Sequence, residues 1–416
     1  MRRYFDYPYT RPEQLNGSHI IATYVIFGTG YENILDRAGN FAVGQTIGTW
    51  VDIPGISRDM VERYQGRIIA VYSMPAENEQ AFILRVAFPL DNIESSFTML
   101  MTALVGNDVS TALQTKLIDI ELGAAAEKAF RGPRQGMDEL RKLTGVYGRP
   151  IVLNMIKPCT GFSPEEGAKL FYESASGGVD IIKDDELLGS TSYSSVQKRV
   201  ELYNKAARRV FEETGKQTVY MVNISDTPKK MRENAKKAIE AGAKAAMVNF
   251  VFGGLDALAE ICEEFGDKLF IMSHYAGVGV MNWDRGGIDN SVGIGILPRL
   301  AGAHAIMTMY PPRNNPKAMY EFYRTVQSQK LPLGNIKKVV TAVGGGVTPV
   351  NQAVLQKDLG NDIIIGVGGA IQGHPMGTTA GAKAVMAAVK ATSEGISLED
   401  AAAGCEELQV ALKTWQ

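Results

Sequence analysis

The sequence predicts an α/β protein in which a (β/α)8 TIM barrel follows a smaller α+β domain. From about Pro150 onwards, short β-branched runs alternate with longer amphipathic runs, as is typical of βα units on a parallel sheet. Eight such units fit the remaining chain, in agreement with the roughly 250 residues of a barrel. A doubly wound sheet is the alternative, because a strand count from one sequence can be wrong by an element or two.

The predicted barrel strands are separated by helices with recognisable ends. Ser163 can cap a helix whose first position is Pro164, and Thr227-Pro228 repeats this arrangement. Three helices end near Gly215, Gly242 and Gly266, and glycine tolerates the left-handed conformation of a helix end. The eight strands are predicted at 151–156, 179–184, 218–224, 245–251, 269–274, 303–309, 338–343 and 363–367.

The first 135 residues predict a separate α+β domain of ferredoxin-like type. Strand-like runs occur at 20–27 and 81–88, and helix-like runs at 34–42, 97–104 and 124–130. The segment from Phe130 to Gly136 is rich in turn-forming residues and is the predicted connection. We therefore predict an N-terminal domain of residues 1–135 and a catalytic barrel domain of residues 136–416.

The composition argues against several classes of protein. Hydrophobic residues make up 45% and charged residues 21% of the chain, which does not indicate disorder or a fibrous structure. With 43 basic and 45 acidic residues, there is no electrostatic reason to expect nucleic acid or a membrane as partner. Cys159, Cys262 and Cys405 lie too far apart for a CxxC site, and no apolar export or membrane segment is found, so a cytoplasmic protein is expected.

Charged residues follow the second predicted strand, where a barrel carries its chemistry. Because strand side chains alternate, Lys183 and Asp185 share one face, Asp184 points to the other, and Glu186 can turn inwards in the loop. Carboxylates suit a hard cation such as Mg²⁺, but an ammonium group cannot ligate one. Lys183 must therefore act as a counter-ion, as a base or in a modified form. The alternative is a solvated run of charges at a strand end.

Two other strands end in residues that can transfer protons. Lys157 follows the first strand, and a lysine beside a metal suits proton transfer next to a carbonyl. His274 ends the fifth strand and could act as an acid, a base or a substrate-orienting group. The alternatives are a surface lysine before a turn and a packed, hydrogen-bonded histidine.

Glycine runs follow the seventh and eighth predicted strands, Gly344 to Gly346 and Gly368-Gly369. Glycines let backbone N–H groups approach an anion, and the loops after these two strands are the recurring phosphate site of the barrel fold. Tight turns are the alternative interpretation. His374, which follows the second run, is interpreted as structural.

These residues match a known family, because the chain resembles the large subunit of RuBisCO and, more closely, the non-carboxylating RuBisCO-like proteins. The resemblance covers nearly the whole chain. Its most specific part is the Gly-x-Asp-x-x-Lys-x-Asp-Glu pattern that ends at Glu186. The other matching motifs are Gly48-Thr49-Trp50, Val105-Gly106-Asn107, Phe130-Arg131-Gly132-Pro133, Tyr147-Gly148-Arg149-Pro150, Ile156-Lys157-Pro158 and Gly373-His374-Pro375.

The resemblance implies a cofactor and a substrate site. Lys183 would be carbamylated by CO₂ and would bind Mg²⁺ together with Asp185 and Glu186, which explains a lysine among carboxylates. Lys157 would lie near the reacting centre. The phosphate of the substrate would be bound by Gly346, Gly368 and Gly369.

The resemblance also implies a homodimer or a higher homo-oligomer. The N-terminal domain would cap the barrel of a partner subunit. Three residues would then complete the site across the interface. They are Thr49, which would contact the phosphate, Asn107, which would act in catalysis, and Trp50.

Departures from true RuBisCO narrow the implied chemistry. The loop after the sixth strand, Met309 to Asn315, lacks the essential lysine, although Arg313 is a nearby cation. The other changes are Tyr275 for an arginine, Ile306 for a phosphate-site histidine, Gly344 for a serine and Cys159 for a second lysine. Fewer phosphate ligands imply a monophosphate, and the missing loop lysine argues against CO₂ fixation.

The chemistry that is retained would be Mg²⁺-dependent enolisation of a sugar-derived monophosphate. Our leading hypothesis from sequence is a 5-methylthioribulose 1-phosphate isomerase of methionine salvage. The alternatives are a decarboxylase or hydrolase of a 3-oxo-isoapionate 4-phosphate, a diketo-methylthiopentyl phosphate enolase, and a non-catalytic regulatory relative. The diketo-methylthiopentyl phosphate enolases have a lysine where this chain has Asn107, which weakens the assignment of this chain to those enolases. The catalytic base, Lys157, His274 or another group, is left open.

Overall fold

The chain divides into two compact units in the computed structural model, which describes residues 9–30, 32–48, 53–76, 79–107, 109 and 114–415. The first unit comprises 1–132 together with Gly277–Ala301 and Leu331–Lys337. The second comprises Pro133–Ala276, Gly302–Lys330 and Lys338–Gln416. Two later segments of the chain thus belong to the first unit, while a domain boundary after residue 135 stays a prediction.

The first unit contains an antiparallel sheet of ferredoxin-like order, as predicted. Its strands are β1 His19–Phe27, β2 Arg67–Ala76, β3 Glu79–Pro89 and β4 Thr115–Leu122, and their order in the sheet is β4-β1-β3-β2. The helices are α1 Ile34–Gly44, α2 Arg58–Tyr64, α3 Phe97–Val105 and α4 Ala126–Ala129. Strands β2 and β4 and helix α2 were not predicted. Strand β4 mixes charged with apolar residues, and its buried side chains are Thr115, Leu117 and Ile120.

Two short strands from later in the chain extend the sheet of the first unit. Strand β11, Gly286–Ile288, pairs in parallel with β4, and β10, Asn282–Trp283, pairs antiparallel with β11. A π-helical turn, Ser291–Ile296, and α11, Leu297–Leu300, follow in the same unit. The sequence did not predict these strands, because runs of two and three residues carry no measurable periodicity.

The second unit is a closed eight-stranded parallel barrel, which confirms the predicted fold class. Neighbouring strands pair in chain order, and the last pairs with the first. The strands are β5 Ile151–Met155, β6 Ile181–Lys183, β7 Val219–Asn223, β8 Ala245–Asn249, β9 Phe270–His274, β12 Ala305–Met309, β13 Val340–Gly344 and β14 Ile363–Val367. All eight lie within one residue of, or inside, the predicted ranges.

Helices surround these strands in sequence. They are α5 Met137–Thr144, α6 Pro164–Ser176, α7 Val196–Thr214, α8 Pro228–Glu240, α9 Phe250–Gly253, α10 Leu255–Phe265, α12 Pro316–Lys330, α13 Gln352–Leu359, α14 Gly369–Gln372, α15 Thr378–Ser393, α16 Leu398–Ala403 and α17 Glu406–Thr414. Within the described residues, none of the helices combines the length and the apolar character needed to cross a bilayer.

The helix ends test the predicted capping residues. Ser163 accepts a hydrogen bond from the Glu166 N–H at 3.2 Å, as expected, but Thr227 makes no side-chain cap. Gly215 has the left-handed φ of +70°. The helix before Gly266 ends at Phe265, as predicted, but the φ of Gly266 is −63° and not left-handed, because the chain continues into another turn closed by the Leu269 N–H on the Phe265 carbonyl.

The barrel interior is filled by alternate strand residues. Buried apolar side chains from all eight strands form one cluster with residues of α5, and they include Leu153, Ile181, Met221 and Met307. Because side chains alternate along a strand, the residue that follows Ile181 by two positions, Lys183, also points to the interior. The interior therefore changes from apolar to charged at the carboxyl end of β6.

We predict that Gly167→Ala destabilises the barrel unit. A Cβ on Gly167 in α6 would lie 1.8 Å from the hydroxyl of the fully buried Tyr203, so the packing has to shift. Overpacking of this kind costs about 1–3 kcal/mol in the free energy of unfolding, measurable by urea denaturation. Tyr203→Phe should recover part of the loss, since it removes the closest atom. Gly404→Ala, where a Cβ meets nothing within 4 Å, is the control, and an equal loss in both alanine variants would contradict the packing argument.

We also predict that the buried His304 makes stability depend on pH. Its Nδ1 accepts the Ile271 N–H at 3.0 Å, and burial lowers the pKa of His304 from 6.5 to about 4. The unfolded chain therefore binds the proton first, and stability falls as the pH drops from about 6.5 to 4, by on the order of 3 kcal/mol. Urea denaturation across this range should show that the free energy of unfolding depends less steeply on pH in His304→Asn, whose Oδ1 can replace Nδ1 as the acceptor. An identical pH dependence in the two proteins would show that His304 is not its cause.

Candidate active site

A cavity of about 420 Å³ lies at the carboxyl ends of the barrel strands. Its walls carry seven of the predicted site residues: Lys157, Asp185, Glu186, His274, Gly346, Gly368 and Gly369. The other lining residues are Met155, Tyr275, Met307, Gly344, Gly345, Val347, Thr348, Ala370 and Trp415. The structure thus brings the predicted proton-transfer, carboxylate and glycine residues together at one end of the barrel, where this fold carries its chemistry.

Lys183 is a completely buried lysine beside this cavity. Its Nζ donates a hydrogen bond to the carbonyl of Asp184 at 2.8 Å and lies 3.7 Å from Glu186 Oε2. Burial lowers the pKa of Lys183, while the carboxylates of Glu186 and Asp185 act in the opposite direction. A buried lysine with a depressed pKa has a larger fraction of neutral, nucleophilic amine than a surface lysine.

Lys157 and Asp185 form a short ion pair at the wall of the cavity. Lys157 Nζ donates to Asp185 Oδ2 at 2.6 Å and to Cys159 Sγ at 3.1 Å. Burial acts to lower the pKa of Lys157, but these hydrogen bonds outweigh it and raise the pKa. Burial likewise acts to raise the pKa of Asp185, but Lys157 and the Leu187 N–H hold it below its usual value. Both groups are therefore charged in this arrangement.

His274 and Glu186 face each other on the other side of the cluster. His274 Nε2 lies 3.5 Å from Glu186 Oε2, and His274 Nδ1 accepts the Ala276 N–H at 3.2 Å. Burial lowers the pKa of His274 well below its usual value, and the charge of Lys183 acts in the same direction. The ring is therefore neutral and carries its proton on Nε2. Tyr275 stacks on it with a ring-centroid distance of 4.8 Å.

Asp184 points out of the barrel, opposite to Lys183 and Asp185, as the alternation predicts. It is fully buried and pairs with Arg199 of α7, which is also fully buried, at 3.2 Å. Its carboxylate also accepts the hydroxyl of Tyr220 at 2.7 Å and the N–H of Asn223 at 2.9 Å. This ion pair anchors the end of β6 from the outside.

Two asparagines hold the backbone that carries the site carboxylates. Asn223, at the end of β7, donates from Nδ2 to the carbonyls of Asp185 at 3.4 Å and Glu186 at 3.2 Å. Asn249, at the end of β8, donates from Nδ2 to the Glu186 carbonyl at 2.8 Å. Sequence reasoning missed both, although the signal it used elsewhere, a polar residue at a strand end, was present.

Glycines line the cavity at the loops after β13 and β14. Gly346 has a φ of +72°, and its carbonyl accepts a hydrogen bond from Asn351 Nδ2 at 2.9 Å. A Cβ on Gly346 or Gly369 would meet no atom within 4 Å. Within the described part of the chain, neither glycine amide donates a hydrogen bond. These two N–H groups can therefore serve a bound ligand.

The side chains around Asp185 and Glu186 can be compared with the ligands that Mg²⁺ requires. Among the described residues, no group of three or more His, Cys, Asp and Glu side chains converges as a metal site would require. Asp185 and Glu186 supply two carboxylates, and Lys183 Nζ lies 3.7 Å from Glu186 Oε2. The residues fit Mg²⁺ if Lys183 takes an anionic form, such as the carbamate that the sequence resemblance implies.

Three predicted residues, Asn107, Thr49 and Trp50, belong to the part of the sequence before the barrel. Asn107 is an exposed residue that follows α3 in the first unit. Thr49 and Trp50 fall outside the described residues. Trp415, which lines the cavity, was not singled out from the sequence, because nothing in its neighbourhood marks it as more than the end of an amphipathic helix.

We predict that Asp184→Asn strongly destabilises the second unit. It leaves the buried Arg199 without its counter-charge, and losing one partner of a buried pair costs about 3–5 kcal/mol. Asp267→Asn is the matched control, since Asp267 is the exposed partner of Arg134 and should cost less than about 1 kcal/mol. Urea denaturation measures both. A loss for Asp184→Asn no larger than that of the control would show that the pair does not anchor β6.

Comparison with known families matches nearly the whole chain. Residues 4–125 match the N-terminal domain, and residues 136–415 the catalytic domain, of the ribulose bisphosphate carboxylase large chain. A ribulose bisphosphate carboxylase-like protein of Archaeoglobus fulgidus is 34% identical over 94% of this chain and 92% of the relative. A 2,3-diketo-5-methylthiopentyl-1-phosphate enolase of Bacillus pumilus is 31% identical over 96% of this chain and 98% of its own length.

Solved structures share the same architecture. A rubisco-like protein from Alicyclobacillus acidocaldarius aligns with a TM-score of 0.87 at 30% identity, over 96% of this chain and all of the relative. An octameric Rubisco from Pyrococcus horikoshii, in complex with sulfate, aligns with a TM-score of 0.90 at 28% identity, over 99% and 96% of the two chains. A dimeric Rubisco from Hyperthermus butylicus aligns with a TM-score of 0.89 at 26% identity, over 99% of each chain.

Proposed function

The chain belongs to the ribulose bisphosphate carboxylase large-chain family, and on that premise we propose that it is an enolase of 2,3-diketo-5-methylthiopentyl 1-phosphate. The observation that carries the proposal is the placement of Asp185 and Glu186, beside the buried Lys183, in the same cavity as two glycine loops. The carboxylates can serve a carbonyl and the glycine amides a phosphate. The reaction would belong to methionine salvage.

The relatives support an enolase more than the isomerase that led the sequence-based hypotheses. Family membership confirms the RuBisCO-like resemblance, and the names of the relatives bear out an enolase-type enzyme that is not a carboxylase. Asn107 stands where the resemblance places a lysine in such enolases. This chain therefore needs another group to take the substrate proton.

We assign Mg²⁺ binding to Asp185, Glu186 and a CO₂-derived carbamate of Lys183. Burial of Lys183 supports this assignment, because carbamate formation needs a neutral amine. When bound, the ion polarises a carbonyl and stabilises the negative charge of an enolate. Lys157 Nζ now donates to Asp185 Oδ2. For that oxygen to bind the metal ion, Lys157 would have to exchange its contact with Asp185 for contacts with the substrate.

The protein groups that remain can take separate roles in enolisation. The amides of Gly346 and Gly369 would bind the phosphate and so fix the distance from the phosphate to the reacting carbons. We assign the proton taken from carbon to Lys157 Nζ on the cavity wall, which can act as a base only after it loses the contact with Asp185 that keeps it protonated. His274, neutral with its proton on Nε2, would donate a hydrogen bond to the oxygen that gains charge.

The assembly and the location of the protein are part of the same proposal. The chain would form at least a homodimer in which the N-terminal domain, with Asn107 and Thr49, caps the barrel of the partner subunit. The octameric and dimeric relatives support an oligomer. Three unpaired cysteines are compatible with a reducing cytoplasm.

We predict that Lys183→Ala strongly slows enolisation while the protein stays folded. Exchange of substrate protons with heavy water, followed by ¹H NMR on the diketo phosphate, should slow by about 1,000-fold, because an electrostatic stabiliser of the enolate is lost. Lys205→Ala, which removes an exposed lysine of α7, is the control. With ¹³C-labelled bicarbonate, the parent protein should show a carbamate resonance that Lys183→Ala lacks.

The same assay separates the competing functions. Equal catalysed exchange in the parent protein and in Lys183→Ala would refute the proposal, and no catalysed exchange in either protein would favour a non-catalytic relative. Faster turnover of 5-methylthioribulose 1-phosphate or 3-oxo-isoapionate 4-phosphate than of the diketo phosphate would support the proposed site but identify a different substrate. Incorporation of labelled CO₂ into ribulose bisphosphate would restore the carboxylase function that the sequence departures argue against.

A further inference from the structure

Tyr275 lines the cavity directly after the end of β9. Its ring stacks on the ring of His274, with 18° between the two planes, and it also packs against the apolar cluster of the barrel interior. A phenol ring that is held by a stacking partner and by the core keeps its hydroxyl in a fixed place. The sequence analysis counted Tyr275 only as the loss of an arginine, and none of the roles assigned above uses it.

The hydroxyl of Tyr275 is unpaired and accessible from the cavity. Within the described residues it makes no hydrogen bond. The hydroxyls of Tyr203 and Tyr310 also lack a partner in this part of the chain, but protein atoms enclose them. The Tyr275 oxygen is not enclosed in this way, and its side chain lines the cavity, so a bound molecule can reach it.

This hydroxyl lies beside the glycine loop that follows β13. A Cβ on Gly345 would be 3.8 Å from the Tyr275 oxygen. The next residue is Gly346, whose amide makes no hydrogen bond within the described residues. A side-chain donor and a backbone donor are thus both available at the same short loop. Gly369, with the second free amide, follows β14, which pairs with β13.

The phenol serves as a donor because it keeps its proton at neutral pH. Burial raises the pKa of Tyr275, and the charge of Glu186 acts in the same direction, while Lys157 opposes them. A protonated phenol next to the free amides of Gly346 and Gly369 gives this wall several donors. The ligand group that matches such a wall is one that accepts several hydrogen bonds at once.

We propose that Tyr275 is a substrate-binding residue whose hydroxyl donates to a phosphoryl oxygen of the substrate, next to the Gly346 amide. Phosphoryl oxygens are charged acceptors that take several hydrogen bonds at once. The inference rests on the proposed function and deepens it, since it names a side chain that recognises the phosphate. Because the ring stacks on His274, one pair of rings would also fix the phosphate relative to the oxygen that gains charge.

The binding test uses n-pentyl phosphate, which carries a phosphate but no diketone to enolise, in the presence of Mg²⁺ and bicarbonate. Tyr275→Phe keeps the ring and removes the hydroxyl, so calorimetry should show about tenfold weaker binding than for the parent protein. Urea denaturation should show unchanged stability, because the hydroxyl makes no bond in the free protein. Equal affinity in the parent protein and in Tyr275→Phe, or no binding by the parent protein, would overturn the assignment.

Tyr310→Phe is the matched control for this test. The Tyr310 N–H donates to the Gly344 carbonyl at 2.7 Å, so Tyr310 contacts the same loop, but its hydroxyl is enclosed. Its removal should leave the affinity for n-pentyl phosphate unchanged. A loss in Tyr310→Phe as large as that in Tyr275→Phe would show that the effect does not come from an accessible hydroxyl, and would overturn the assignment.

Kinetics on the diketo phosphate separate this inference from the proposed function. A contact with the phosphate, which does not react, should raise KM by about tenfold in Tyr275→Phe and leave kcat nearly unchanged. A lower kcat with unchanged KM would place the hydroxyl at the reacting carbonyl and overturn the phosphate contact. Weaker binding of n-pentyl phosphate by Tyr275→Phe, in a protein whose parent form fails the proton-exchange assay, would refute the enolase and leave the phosphate contact standing.

Discussion

The buried ion pair between Asp184 and Arg199 is the interaction on which the candidate site depends. Strand β6 has only three residues, yet the segment directly after it carries both carboxylates of the site. Asp184 receives bonds from α7 and from β7 on the outside of the barrel, so the backbone at this point cannot rotate freely. Because side chains alternate, fixing Asp184 outside also fixes Lys183 and Asp185 inside.

The cavity is lined by groups of opposite polarity. Asp185 and Glu186 present acceptors, while the amides of Gly346 and Gly369 present donors. A substrate that carries a carbonyl at one end and a phosphate at the other satisfies both only in a single orientation. Orientation is a large part of what an enzyme contributes to a proton transfer, since it replaces the entropy loss of an encounter in solution.

The sequence allowed prediction of those parts of the structure that repeat or that follow local chemistry. The eight barrel strands were found because each is a short apolar run before a polar turn, and Lys183 stood out because a charge broke that pattern. Strands β10 and β11 were missed because they form only by pairing with a distant edge. The contacts of Asn223, Asn249 and Trp415 depend on tertiary placement, which no local pattern encodes.

The insertion between β9 and β12 has a consequence for how the protein is made. The ribosome completes β4 long before it translates β11, the strand that pairs with it. Until Gly286–Ile288 has left the exit tunnel, the edge of the first sheet keeps unpaired backbone groups, which are a template for pairing with other chains. The nascent first unit thus exposes a sheet edge during synthesis, and a gene fragment that stops at residue 135 encodes a sheet without its natural edge.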